Sequence, residues 1–146
     1  PGATRLVIAG AGPEERRIRA AAPPGTVFLG FLDRETALPE LYASADAFAF
    51  ASTTETLGLV VLEAMASGLS VVAAPAGGVA EHLRDGENGL EYAANDVGAC
   101  ADAMVRLATD GALSVRLRAG ARRTAEALSW RSELDRLDES YRSLCE

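Results

Sequence analysis

Short apolar runs recur along the chain, and each gives way to a stretch with helical spacing. Leu6 to Ala9, Thr26 to Phe31, Ala45 to Ala51 and Leu69 to Ala74 are such runs. They are apolar along their length rather than alternating, which predicts strands of a parallel sheet covered on both faces. Between them, three segments predict helices: the charged, Ala-rich Glu14 to Ala22; Glu35 to Ser44, with Leu38, Leu41 and Tyr42 at helical spacing; and Leu59 to Ala66. Pro39 falls in the first turn of its helix, where proline is tolerated. A short helix carrying Val79, Glu81, His82 and Leu83 and a short strand, Leu90 to Tyr92, follow. From Asp96 onward the pattern is helical, over Val97 to Thr109, Ser114 to Leu128 and from Ser129-Trp130 to Leu144. Ala103, Met104 and Leu107 are expected on one face of the first of these. The alternation predicts an α/β domain whose ligands bind at the carboxyl ends of the strands.

The loops at those ends carry the candidate chemistry. Gly10-Ala11-Gly12-Pro13 ends the first strand, and its glycines allow close approach either of a ligand or of the next element. Phe31, Leu32 and Arg34 follow the second strand, as ligand contacts or as an ordinary turn. The densest stretch is Ser52 to Gly68, where hydroxyl residues lead through Gly58 into an apolar helix that Gly68 stops. Thr53, Thr54 and Thr56 can all cap, so the free first-turn amides are expected near Thr56, Leu57, Gly58 and Leu59. With the positive end of the helix dipole behind them, such amides suit a phosphate. Glu63 is the one carboxylate among Val60, Val61, Leu62, Ala64 and Met65, a costly place for a charge unless polar hydrogens meet it. Its ordinary explanation is a solvated stripe or an Arg partner. A ribose diol at the mouth of the helix would also supply two donors, and Glu55, eight positions earlier, projects toward the same mouth.

Composition removes several classes. The 146 residues suffice for one core, built mainly of Ala, Val and Leu, since 49% are hydrophobic and only 5% aromatic. Net charge is −7 and all 14 basic residues are Arg, which points away from nucleic acid and anionic membrane surfaces. Cys100 and Cys145 have no CxxC spacing or metal-site companions and read as reduced thiols of a cytoplasmic protein. No apolar run approaches a membrane span, so no transmembrane segment is expected. The lone His82 lacks a nucleophile in view and reads as structural. Asn88-Gly89 reads as a turn. Arg116, Arg118, Arg122 and Arg123 are interspersed with acids and read as a salt-bridged surface.

Glu55 and Glu63, with seven residues between them, set in TETLGLVVLEAMASG and followed by GGVAEHLRDGENGL, resemble the E-x7-E signature and following loop of the retaining GT-B glycosyltransferases of group 1, a GT4-like family. The resemblance extends over nearly the whole chain. It implies a Rossmann-like three-layer domain, with residues 1–146 as the nucleotide-sugar-binding C-terminal half and 129–146 as a crossover helix. It implies transfer of a glycosyl group from a nucleotide-diphosphate sugar with retention. Glu55 would be the catalytic residue orienting the sugar, and Glu63 would hold the ribose. Thr56, Leu57, Gly58 and Leu59 would line the diphosphate, Gly10 and Gly12 would lie beside the phosphates, and Phe31 and Leu32 would meet the base. Gly77, Gly78 and Glu81 would border the pocket. Neither a metal nor a cofactor is implied. Leu134, Leu137 and Tyr141 would pack on the missing N-terminal acceptor domain or on this domain's own flank.

The chain departs from the pattern at its start. The family's first strand and its Arg- and Lys-bearing loop are not matched, and Arg5 does not replace that Arg. A fragment inactive by itself is therefore expected. Loss of two charge-assisted contacts, at roughly 1.5–3 kcal/mol each, would weaken donor binding by on the order of 10² to 10⁴. A non-catalytic nucleotide-sugar-binding or regulatory module and a GT-B sugar epimerase remain as other readings. A phosphorylase would need a basic phosphate site that this sequence lacks.

Overall fold

The computed structural model describes residues 4–144, so Cys145 lies outside the described residues. The chain forms two compact units, Pro1–Ser44 and Ala45–Glu146. In the first unit, strand β1 (Val7–Ala9) leads to helix α1 (Glu15–Ala21), strand β2 (Val27–Gly30) and helix α2 (Ala37–Ser44). β1 and β2 are parallel, with Val7 opposite Val27 and Ile8 opposite Phe28. Pro23-Pro24-Gly25 turns the chain between them, with the Thr26 hydroxyl donating to the Pro23 carbonyl at 2.7 Å. Asp33 organises the entry to α2, since its Oδ1 accepts from the Thr36 hydroxyl at 2.7 Å and from the amides of Thr36 and Glu35 at 2.9 and 3.1 Å. Those bonds, the Thr36 hydroxyl foremost, hold the Asp33 carboxyl below its ordinary pKa.

The second unit contains β3 (Ala47–Phe50), α3 (Leu59–Ala66), β4 (Ser70–Ala73), α4 (Val79–His82), β5 (Leu90–Glu91), α5 (Val97–Thr109), α6 (Gly111–Ala127) and α7 (Trp130–Leu144). Its sheet is wholly parallel in the order β3-β4-β5. Helices α3, α5 and α6 pack against β4, and every residue of that strand is buried. Among the described residues, the buried apolar ones other than Tyr42 all belong to this unit, from Val61 to Ala121.

The expectation that every strand is covered on both faces therefore holds for β4 alone. β3 alternates between exposed and half-buried positions, and β1 and β2 retain exposed ones. The physical reason is cover by helices, since α3, α5 and α6 all pack on β4 whereas α3 is the main helix against β3. Helix α6 begins at Gly111 rather than Ser114, because the Asp110 carboxylate accepts from the Leu113 amide at 2.9 Å and caps it. Met104 is not on the buried face of α5. It is 38% exposed, while Ala103 and Leu107 face the core with half-buried Ala99 and Cys100.

The end of α3 is built as its glycine predicts. Gly68, at φ 75°, donates to Met65 O at 2.9 Å and Leu69 donates to Ala64 O at 3.1 Å, a Schellman arrangement. Arg118 Nε reaches Gly68 O at 2.8 Å and Arg122 Nη1 reaches Ala66 O, so two guanidinium groups stand at the negative end of that helix. Arg122 also pairs with Glu126 at 2.6 Å. The basic stripe on α6 is thus partly the salt-bridged surface expected and partly a cap for α3.

Candidate functional site

The loop between β3 and α3 is held from several sides. At its start the Tyr92 hydroxyl donates to the Phe50 carbonyl at 3.1 Å. Burial of Tyr92, together with the thiol of Cys100 beside it, raises the phenol's pKa above its ordinary value. Glu55 is half-buried, and its carbonyl accepts from the Gly78 amide at 3.3 Å. Thr56 and Leu57 are exposed, Leu57 to 55%, whereas Gly58 is buried.

None of the threonines caps α3. The N-cap is Gly58, in the left-handed region at φ 65°, with no side-chain cap bond. Its carbonyl accepts from Val61 N at 2.9 Å and Leu62 N at 3.3 Å. The reason is steric. A Cβ at position 58 would lie 2.8 Å from Val79 Cγ2, so the turn into the helix is made by the residue that needs no Cβ, and the hydroxyl residues are left upstream. Glu63 stands on the second turn of α3 between buried Val61 and Ala64, and its Oε2 is buried. Both acidic residues of the spaced pair thus belong to one loop-helix segment of the second unit.

Gly10, Gly12, Phe31 and Leu32 lie in the first unit, and Gly77, Gly78 and Glu81 in the second. Gly10, at φ 120°, donates to Gly30 O at 2.6 Å, which brings the glycine loop beside the end of β2, next to Phe31. Phe31 is 86% exposed and Leu32 half-buried. Gly12 lines a shallow cleft with Pro13, Glu15, Arg16 and Arg19. Arg19 is held by Glu15 at 2.7 Å and lies 4.2 Å over the Phe28 ring.

Sequence reasoning missed the role of Asn88. It is only 4% exposed; its Oδ1 accepts from Arg84 N at 2.7 Å, and its Nδ2 donates to His82 O at 2.8 Å and Thr124 Oγ1 at 2.9 Å. Its setting in a Gly-rich turn hides this, because the partners on α4 and α6 come from 6 and 36 residues away. His82 enters the network through its backbone carbonyl. Among the described residues no group of three or more His, Cys, Asp and Glu side chains is arranged to hold a metal ion. Nor is any helix among them long and apolar enough to cross a membrane.

Residues 2–110 match the family described as glycosyl transferases group 1. The chain belongs to this family. Its fold is that of the C-terminal domain of GT-B glycosyltransferases. The C-terminal domain of a group 1 glycosyl transferase family protein, LpcC of Francisella tularensis, superposes with a TM-score of 0.68 at 29% identity over 78% of this chain and 59% of that one. HepE of Anabaena, in complex with UDP-glucose, gives a TM-score of 0.79 at 26% identity over 94% of this chain and 40% of HepE. Among curated family members, sulfoquinovosyl transferase SQD2 of Arabidopsis thaliana is 39% identical over 119 residues, 79% of this chain and 23% of that protein. The chain thus spans about a quarter of the length of the first curated relatives that it matches.

Proposed function

We propose that this group 1 chain is the donor-binding half of a retaining glycosyltransferase that uses a nucleotide-diphosphate sugar, completed by an N-terminal acceptor domain. The observation that carries the reading is the segment Glu55 to Glu63. It has one carboxylate in a loop and another with a buried oxygen on the second turn of a helix, and that helix starts at a glycine with no side-chain cap. Glu63 accepts from the ribose hydroxyls. Glu55 orients the sugar, and its negative charge favours an oxocarbenium-like transition state. The amides at the start of α3 stabilise charge growing on the departing diphosphate, as fixed dipoles do without reorganising. HepE, a structural relative, is seen with UDP-glucose, which supports a uridine donor as the first to try. Gly10, Gly12, Phe31 and Leu32 are assigned to the phosphates and base.

In the full-length protein, Glu55→Ala and Glu63→Ala each lower turnover at least tenfold. Glu63→Ala also weakens UDP binding in calorimetry, whereas Glu55→Ala leaves it within threefold. NMR of the product shows the anomeric configuration of the donor retained. Turnover of both variants within threefold of wild type sinks the assignment; UDP binding without turnover in the wild type would instead mark a binding module, and an epimerised free donor an epimerase.

A further inference from the structure

Two loops of the second unit meet backbone to backbone. The Gly78 amide donates to the Glu55 carbonyl at 3.3 Å. A Cβ on Gly77 would stand 1.7 Å from that same oxygen, and one on Gly78 would stand 2.4 Å from Thr56 O and 2.6 Å from Leu57 Cα. In the reverse direction, wholly buried Val79 fills the space where Gly58 would carry a Cβ. At positions 77 and 78 the obstructing atoms are backbone and cannot rotate away. The turn glycines Gly25, Gly68 and Gly86 have nothing within 4 Å of such a Cβ. Close packing at positions 77 and 78 is therefore not a general property of glycine turns in this chain; Gly89 and Gly120 share it elsewhere, where such a Cβ would stand 2.9 Å from Val71 O and 2.0 Å from Glu87 O.

We infer that residues 76–79 are a positioning clamp for Glu55. The Gly77-Gly78 backbone sets the place of the Glu55 carbonyl, and with it the point from which the Glu55 side chain departs in front of α3. Val79 holds Gly58 in the left-handed conformation that starts the helix. Gly77 and Gly78 act through Glu55, so they are positioning residues. The catalytic consequence rests on the reading of Glu55 as the residue that meets the sugar; the clamp itself does not. A displacement of a few tenths of an ångström or more at the carbonyl moves an acid that must stand at a defined distance from the reacting carbon, which lowers rate more than binding.

The test is Gly78→Ala in the full-length protein, with Gly111→Ala as a control, since nothing lies within 4 Å of a Cβ at Gly111. With UDP-glucose as the donor probe, kcat is expected to fall at least tenfold for Gly78→Ala while the Kd for UDP stays within threefold; Gly111→Ala changes neither. Hydrogen exchange at the amides of residues 56–58 is expected to rise at least tenfold, with residues 71–73 of β4 unchanged. Unchanged exchange at 56–58, or a kcat within twofold of wild type, overturns the clamp. If the wild type neither binds UDP nor consumes UDP-glucose, the functional reading fails by itself and exchange decides the clamp. Should Gly78→Ala not fold, Val79→Ala, which adds no atoms, is read by exchange at residues 56–58 in the same way: a rise supports the clamp and no change overturns it.

Discussion

The hydroxyl of Tyr92, beyond the end of β5, donates to the carbonyl of Phe50 at the end of β3, at 3.1 Å. This bond ties two ends of the sheet together across 42 residues of sequence, at the point where the chain leaves for Glu55. Tyr92→Phe leaves the Phe50 carbonyl without that donor and is expected to cost about 1 kcal/mol in urea unfolding. The phenol's pKa is raised in the fold, by burial first and by neighbouring Cys100 next. Its stabilising contribution is therefore complete below the ordinary tyrosine value of ~10 and is lost as pH climbs from there through the folded value. The alkaline fall in melting temperature is expected to be shallower in Tyr92→Phe than in the wild type. Identical alkaline limbs would refute the assignment.

Asn88→Ala is expected to destabilise by about 2 kcal/mol, because it leaves the partly buried Arg84 amide and His82 carbonyl without their partner and removes the link to Thr124. Urea denaturation measures it. A loss below about 0.5 kcal/mol would mean that water replaces the amide at no cost.

The Asp33 carboxyl titrates below its ordinary value, chiefly through the Thr36 hydroxyl. A depressed folded pKa means that the stabilisation is present above the unfolded carboxylate value of ~3.9 and is lost as pH falls through the folded one. Thr36→Val is expected to move the Asp33 titration, followed by NMR, upward toward the ordinary value. A titration unmoved by the substitution would show that the backbone amides of Glu35 and Thr36 suffice.

If the first-turn amides of α3 carry the charge of the leaving diphosphate, a divalent cation is not required. Turnover of the full-length protein after exhaustive dialysis against EDTA is expected to stay within twofold of untreated enzyme. A loss restored by magnesium or manganese would reassign that task to a metal.

Much of this protein can be read without coordinates, where the information is local. The apolar run of β4, the helical spacing over Val97 to Thr109 and the stop at Gly68 depend on residues within a few positions of one another. The elements form where those patterns place them. The spaced pair Glu55 and Glu63 is also a local signal, and it pointed to the family that the comparisons show. The failures share a cause. Three threonines next to a helix look like caps, yet Val79, 21 residues beyond Gly58 in the sequence, makes glycine the residue that starts α3. Asn88-Gly89 looks like a solvated turn until α6 arrives to bury it. Arg118 and Arg122 look like surface charges until the end of α3 lies beneath them.

The sequence by itself determined the alternating elements, the glycine that ends α3 and the acidic pair in front of it and within it, because propensity, capping and spacing act over one or two helical turns. Only the tertiary structure decided which strand is fully enclosed, which residue caps the helix and what steadies Glu55. Those outcomes depend on steric exclusion and hydrogen bonds between segments that are brought together only when β4 is buried beneath its helices.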